Sequence, residues 1–281
     1  MSKLVVTSEA EIKTFQKKIL VWYRVHGRHD LPWRHTRDPY KIFVSEIMLQ
    51  QTQVDRVVPK YKNFLKQFPT VKRLAYAPQA AVLKEWQGLG YNRRALYVKR
   101  AAAQVVKNYK GAFPKNPHEL EKLPGVGHYT ARAMCAFAWD MPEVFIETNI
   151  RRVYIHFFFA HKKKVIDAEI LECIQKTLPP EHIREWYWAL MDYGAGELKN
   201  ISNPNRKSIR YVRQSKFEGS RRFARAKLLD LILLESRLTL KKTQALFERD
   251  PLLAMHNPKE ILEALARDGF IKKNGAVWHM I

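Results

Sequence analysis

The chain has 281 residues and carries 50 Lys+Arg against 27 Asp+Glu, a formal net charge of +23, with a sequence pI of about 10.0. That excess favours a polyanionic partner. No apolar run approaches the roughly 18 residues needed to cross a bilayer; even VYIHFFFA is short and holds His156, so a membrane protein is excluded and a soluble one expected. Only Cys135 and Cys173 occur, which fits a reducing compartment and excludes a four-cysteine metal or iron–sulfur site. The opening MSKLVVTSEAEIK lacks the apolar segment and cleavage site of a secretory signal.

In chain order, hydrophobic periodicity predicts helices over about residues 8–26, 41–54, 56–67, 71–76, 78–86, 92–109, 117–122, 128–138, 147–159, 167–177 and 181–193. Pro and Gly punctuate them at LPW, FPT, APQ, GLG, FPKNP, LPGVG, MPE and LPP, giving short connections between packed helices. Residues 1–198 therefore read as an all-α domain. Lys199 to Lys227 then holds ten Lys or Arg and one acid, Glu218, so 199–220 reads as a basic linker or arm. It is either a solvated connection or a phosphate-binding segment, with Tyr211 and Phe217 among the charges. Beyond it, RRFARAKLLDLILLES, TLKKTQALFER and NPKEILEALARDG carry helical spacing, and FIKK-NG-AVWHM has a hairpin's Asn-Gly pair. Residues 221–281 are thus expected to form a small winged-helix-like domain, a fold that serves DNA binding or protein docking.

Within LPGVGHYTARA, Gly125 and Gly127 can take backbone angles closed to other residues and leave main-chain N–H groups open to a phosphate. The helix expected from His128 adds its positive end. A lone G-x-G equally serves as a bare helix-joining turn, so the surrounding residues decide.

LPGVGHYTA resembles the helix-hairpin-helix of the DNA glycosylase superfamily that includes endonuclease III and MutY. LPWRHTRDPYKIFVSEIMLQQTQV resembles the MutY adenine glycosylase signature, and FPTV, WQGLGYNRRA, IETNIRRV and MDYGA follow in order. The similarity covers about residues 8–197; LPWRHTRDPY is equally similar to the thymine and uracil mismatch glycosylases of the same fold. The resemblance implies a helix-hairpin-helix glycosylase fold and a monomeric enzyme that flips a base out of duplex DNA and hydrolyses its N-glycosidic bond. Its partner would be double-stranded DNA with a mismatched or damaged base, and its location the cytoplasm, at a nucleoid.

Cleaving a purine nucleoside needs a proton for the leaving base and negative charge near the sugar, a task for two carboxyl groups. Glu46, alone among Val44, Ile47, Met48 and Leu49, is the expected acid, its pKa raised by burial. Glu147 is the expected carboxylate beside the sugar, with Asn149 next to it. The family has aspartate at that position, so this chain departs by one methylene. Tyr129 stands where bifunctional relatives carry lysine; a phenol cannot form a Schiff base, which implies a monofunctional enzyme. Gln50, Gln51 and Tyr91 match wedge residues that fill the stack after flipping. Leu123, Gly125, Val126, Gly127, His128 and Thr130 match the DNA-binding hairpin, and Trp33, Arg34 and Asp192 match positions lining the base pocket. The cysteines that hold an iron–sulfur cluster in many MutY proteins are missing from AGELKNISNPNRKS, so neither cofactor nor metal is expected. The tail after Arg221 does not resemble the domain that reads 8-oxoguanine in typical relatives. The expected activity is removal of adenine mispaired with guanine or 8-oxoguanine in base excision repair. A thymine or uracil glycosylase acting on G·T or G·U, and a catalytically silent DNA-binding protein, are the alternatives.

Overall fold

The computed structural model describes residues 8–209, 211 and 216–281. Fourteen α-helices and three short strands occur among these residues, in two compact units.

The first unit draws on Met1–Glu46, Pro114–Lys122 and Val126–Arg213. Helix α1 (Glu9–His26) opens on a capping box in which the Ser8 hydroxyl accepts from the Glu11 N–H and the Glu11 carboxylate accepts from the Ser8 N–H, both at 3.2 Å. Such a reciprocal pair satisfies two of the N–H groups that a helix start leaves open. A 3-10 turn, Pro32–His35, leads into α2 (Pro39–Leu49). The unit resumes with α7 (Pro117–Glu121), α8 (His128–Trp139), α9 (Thr148–Phe158), α10 (Asp167–Thr177) and α11 (Ile183–Ala195). Its core forms where α1, α9 and α11 meet, with Phe15 edge-on to Tyr154 and Trp186 at 5.6 Å each. Gly194 is required by closeness: a Cβ there would lie 2.4 Å from the Asn149 carbonyl oxygen, so only glycine lets α11 come this near the first turn of α9.

The start of the predicted basic arm is pinned to this unit. Pro204, Asn205 and Ser208 are buried, the Asn205 side chain donates to the Thr148 carbonyl at 3.0 Å, and the Val165 N–H donates to Lys207 at 2.9 Å. Arg210 and 212–215 of that arm lie outside the described residues.

The second unit draws on Ile47–Phe113, Leu123–Gly125 and Gln214–Ile281. It holds α3 (Val54–Gln67), α4 (Val71–Tyr76), α5 (Gln79–Trp86) and α6 (Arg93–Tyr109), then α12 (Arg221–Glu235), β1 (Arg237–Thr239), α13 (Leu240–Arg249), α14 (Pro258–Arg267), β2 (Ile271–Asn274) and β3 (Val277–Met280). The strands form an antiparallel sheet in the order β1-β3-β2, with Leu238 and Lys273 flanking Trp278. This is the winged-helix arrangement plus β1, a strand too short to show as alternation in sequence. The segment packs onto α5: the Gln79 amide donates to the Gly269 carbonyl at 2.9 Å, and the Gln87 amide to Asp230 at 2.9 Å. The helix predicted over 41–54 stops at Leu49, because Gln51 takes a left-handed φ of 55° that an α-helix cannot contain.

Candidate active site

Four of the expected catalytic residues come together in the first unit. Glu46, in α2, is 5% exposed. The Tyr129 hydroxyl, from the first turn of α8, donates to its Oε2 at 2.9 Å. Burial, chiefly, pushes the Glu46 carboxyl up to about 7; the Tyr129 hydrogen bond opposes the rise and the charge of Glu147 adds to it. At neutral pH the protonated form is therefore accessible here. Tyr129 is itself held edge-on to Phe145 at 5.6 Å, and Phe145 stacks on Tyr187 at 3.9 Å. Burial, with Glu46 and Glu147 nearby, drives the phenol well above its usual 10, so it acts as a donor and stays neutral.

Glu147 is the N-cap of α9. Its Oε1 accepts the backbone N–H groups of Asn149 at 2.7 Å and Ile150 at 2.8 Å, and the Asn149 amide reaches its Oε2 at 3.4 Å. The longer side chain thus folds back into the capping position that shorter acids prefer. Its pKa lies above the ordinary value: burial, the largest cause, raises it, and those two N–H bonds and the charges of Arg151 and Arg152 only reduce the rise. Hydrogen bonds to an ionised carboxylate favour the charged form, so the two carboxyls meet burial differently: Glu147 with two backbone donors, Glu46 with the Tyr129 hydroxyl.

The hairpin before α8 has Gly125 at φ 78°, and a Cβ there would meet the Tyr97 Cβ at 2.7 Å. Gly127 caps α8 without a side-chain hydrogen bond, and the space beside it is open. Exposed Gly127 and His128 leave the helix start accessible, the arrangement that suits an anion. Leu123, Val126 and Thr130 are buried, so DNA contacts at these positions would come from the main chain. His128 lies 3.2 Å from Glu121 and 2.8 Å from Arg132.

Of the expected pocket residues, Trp33 is buried at 7% exposure, and Arg34 and Asp192 form a buried ion pair with contacts of 2.7 and 2.9 Å. Arg28 completes it through its backbone N–H and Nε, both at 2.8 Å from the Asp192 carboxylate. Burial alone would raise the Asp192 pKa, but the hydrogen bonds and charges of Arg34 and Arg28 hold it below the ordinary value. Five donors converge on this carboxylate, which therefore acts within the protein as an anchor. Arg28 was invisible to sequence reading, since nothing in its spacing pairs it with a residue 164 positions away.

The expected wedge residues sit on two loops of the second unit. Gln51 and Tyr91 both adopt left-handed backbone, φ 55° and 47°, a strained choice for non-glycine residues that the surroundings must hold. Arg94 does the holding. Its guanidinium donates to the carbonyls of Ile47, Met48 and Gln50 at 2.9, 2.8 and 2.5 Å, and to those of Leu89 and Gly90 at 3.2 and 3.0 Å. One buried arginine thus ties the Gln50–Gln51 loop to the Tyr91 loop. The NRRA stretch contains it, yet nothing in the sequence distinguishes it from Arg93.

Cys135 and Cys173 are buried in α8 and α10, and among the described residues no group of His, Cys, Asp or Glu could hold a metal ion. The donor set does not fit a four-cysteine cluster.

Residues 44–176 match the model of the HhH-GPD superfamily base excision DNA repair proteins. The chain is 32% identical over 185 residues to a thymine/uracil-DNA glycosylase of Pyrobaculum aerophilum, a match covering 64% of this chain and 80% of that one. The chain belongs to the HhH-GPD superfamily. It is also 38% identical over 182 residues to an adenine DNA glycosylase of Buchnera aphidicola, covering 64% of this chain and 52% of the relative, so it spans about half the length of that protein. Among solved structures it is similar to a thermostable thymine-DNA glycosylase (TM-score 0.59, 29% identity, 66% of this chain and 87% of the other). An endonuclease III–DNA complex matches in fold (TM-score 0.61, 20% identity, 70% of this chain and 90% of the other). The HhH-GPD match encloses Glu46, Tyr129, Glu147 and Asn149, whereas the Arg28–Arg34–Asp192 anchor lies outside it.

Proposed function

We propose that this chain is a monofunctional DNA N-glycosylase that removes adenine mispaired with guanine or 8-oxoguanine. The observation that carries the reading is a buried Glu46, its carboxyl pushed to about 7 and oriented by the Tyr129 hydroxyl at 2.9 Å. Adenine is a poor leaving group until a ring nitrogen is protonated, and Glu46 is a proton donor tuned to neutral pH. As the C–N bond breaks, its electron pair leaves with the protonated base and the sugar becomes a cation. Glu147, charged and fixed by two backbone N–H groups, stabilises that cation. Water then adds to the sugar carbon and its proton passes to the Glu46 carboxylate, restoring the acid.

The phenol of Tyr129 cannot open the sugar as an amine would, so the strand remains intact after base loss. A thymine or uracil glycosylase is the second reading, favoured by the Pyrobaculum relative, of which the chain covers four-fifths. A pyrimidine can leave as an anion and needs the Glu46 proton less. Incubating the protein with A·G, A·8-oxoguanine, G·T and G·U duplexes and heating in alkali separates the readings. Cleavage at adenine is expected; cleavage confined to T or U would replace the proposal with the second reading, and none at all would leave a DNA-binding protein.

A further inference from the structure

The segment from α12 to β3 lies beyond residues 44–176, the span matched by the superfamily model, and supplies none of the four catalytic side chains. Its sheet is ordered by a tight turn. Gly275 and Ala276 join β2 to β3, with Asn274 opposite Val277 and Gly275 at φ 58°, and a two-residue connection fixes the register of a hairpin. One face of the sheet is thereby committed to the interior: Leu238, Ile271 and Trp278 are buried, and the Lys273 ammonium lies 5.7 Å from the Trp278 ring centroid. Alternation sends the neighbouring residues to the other face. There Arg237 stands opposite His279, and His279 opposite Lys272, in one row across all three strands. Arg237 and Lys272 are exposed and His279 is half-buried. Like charges directly opposite one another cost a sheet stability, and the stretches that form the sheet and open α13, RLTLKK and IKKNGAVWHM, hold five Lys or Arg and no acid to offset them. Cations on edge strands also block pairing with a further strand. That purpose accounts for Arg237 on β1 and Lys272 on β2, but not for His279 on the central strand between them.

We propose that the outer face of this sheet is a phosphate-binding surface for duplex DNA, with Arg237 and Lys272 neutralising phosphates and the His279 ring donating a hydrogen bond between them. Strands about 4.8 Å apart make the row roughly 10 Å long, a length in which a duplex carries about six phosphate charges. The imidazole has an N–H to donate whether it is charged or neutral. The face carries no aromatic ring on which a single strand would stack its bases, since Trp278 points to the interior, and Val277 is its one apolar side chain, too little to anchor in a lipid surface. Contacts of this kind read charge and carry no sequence information, so the surface takes matched and mismatched duplexes alike. Helix α14 is the weaker candidate, because its exposed Lys259, Glu260 and Arg267 mix both signs. The inference rests on the glycosylase reading only for the choice of duplex DNA as the polyanion.

Two measurements on the full chain test it. In the first, Arg237→Glu with Lys272→Glu should weaken binding to a matched duplex by about tenfold or more and reduce the slope of log affinity against log salt by about 0.9 for every phosphate that is no longer neutralised. Lys259→Glu with Arg267→Glu changes the net charge by the same amount on α14 and should have a much smaller effect. An unchanged affinity and slope, or equal losses from the two pairs, would overturn the proposal, the second outcome by showing that only total charge matters. The other measurement needs no variant: lysines are acylated with an amine-reactive ester, with and without the duplex, and located by mass spectrometry. Lys272 should be protected by the duplex and Lys259 should not. Equal labelling of Lys272 in both conditions would refute the assignment, and equal protection by poly-glutamate would replace DNA with an acidic protein partner. If the parent excises no base but shows both effects, the sheet surface stands and the glycosylase reading falls; excision without either effect does the reverse.

Discussion

Replacing Glu46 by Gln keeps the size of the side chain and the oxygen that accepts the Tyr129 hydrogen bond, while removing the titration. The folded carboxyl titrates near 7 against an ordinary 4.5. The difference, about 2.5 units at 1.36 kcal/mol each, means that ionising the buried group costs the fold roughly 3 kcal/mol. Because the folded pKa is the raised one, the stability associated with Glu46 is complete below about pH 4.5 and is lost as pH rises through 7. Glutamine does not share that loss. Urea unfolding at about pH 4.5, 6, 7 and 8.5 should therefore show the variant gaining on the parent across this interval, by roughly 3 kcal/mol at the plateau. Excision should move the opposite way. Single-turnover rates of the parent should fall about tenfold per pH unit above 7, while the variant is slower by on the order of 100- to 10,000-fold and loses that limb. A stability difference that does not vary with pH would show that Glu46 is an ordinary carboxylate, and the assignment of the acid would fail.

Glu147→Gln should abolish excision, a loss of about 3–4 kcal/mol of transition-state stabilisation by analogy with other fixed electrostatic groups; Glu147→Asp should lower the single-turnover rate while leaving the α9 cap, and hence the melting temperature, nearly intact. Borohydride added during reaction should trap little or no covalent complex, and a strong trapped band would show an amine attacking the sugar. Asp192→Asn should destabilise the fold by roughly 3–5 kcal/mol, because it leaves buried Arg34 without its counter-charge. The native contribution of Asp192, whose pKa is depressed, should be complete above about pH 3.8 and disappear as acid titrates the folded carboxyl, which chemical denaturation across that range would detect.

The helices were legible because their signals are local. Glycine, proline and caps bound them, and the periodicity of α4 and α10 predicts both ends of each. Glu46 was legible for a related reason, one charge in an otherwise apolar turn. Where the backbone departs from regularity the signal vanished: the helix predicted to run to 54 ends at Leu49, because a left-handed glutamine looks like any other until Arg94 is seen holding the loop. Arg94, Arg28 and Arg222 were unreadable as a class. Each is one arginine among many in a chain of net charge +23, and the fold chooses its partner at separations such as 44, 131 and 164 residues.

The two carboxyl groups acquire different surroundings from backbone placement rather than from residue type. Glu46 sits mid-helix, where its neighbours' N–H groups are already bonded along α2, and its carboxylate accepts from the Tyr129 hydroxyl. Glu147 sits one residue before a helix, where N–H groups are unclaimed, and two of them fall on a single oxygen. Both carboxyls lie above the ordinary value, but the same glutamate side chain meets burial with one side-chain donor in one case and with two backbone donors in the other. The device depends on the first turn of α9 staying in register with α11, which Gly194 permits by its contact at Asn149 and Arg152 reinforces by donating to the Gly194 carbonyl at 2.7 Å. A side chain at position 194 would push α9 away, and with it the two N–H groups that hold the Glu147 carboxyl. The glycine of MDYGA, distant in sequence from either acid, thus helps set the hydrogen bonding of one of them.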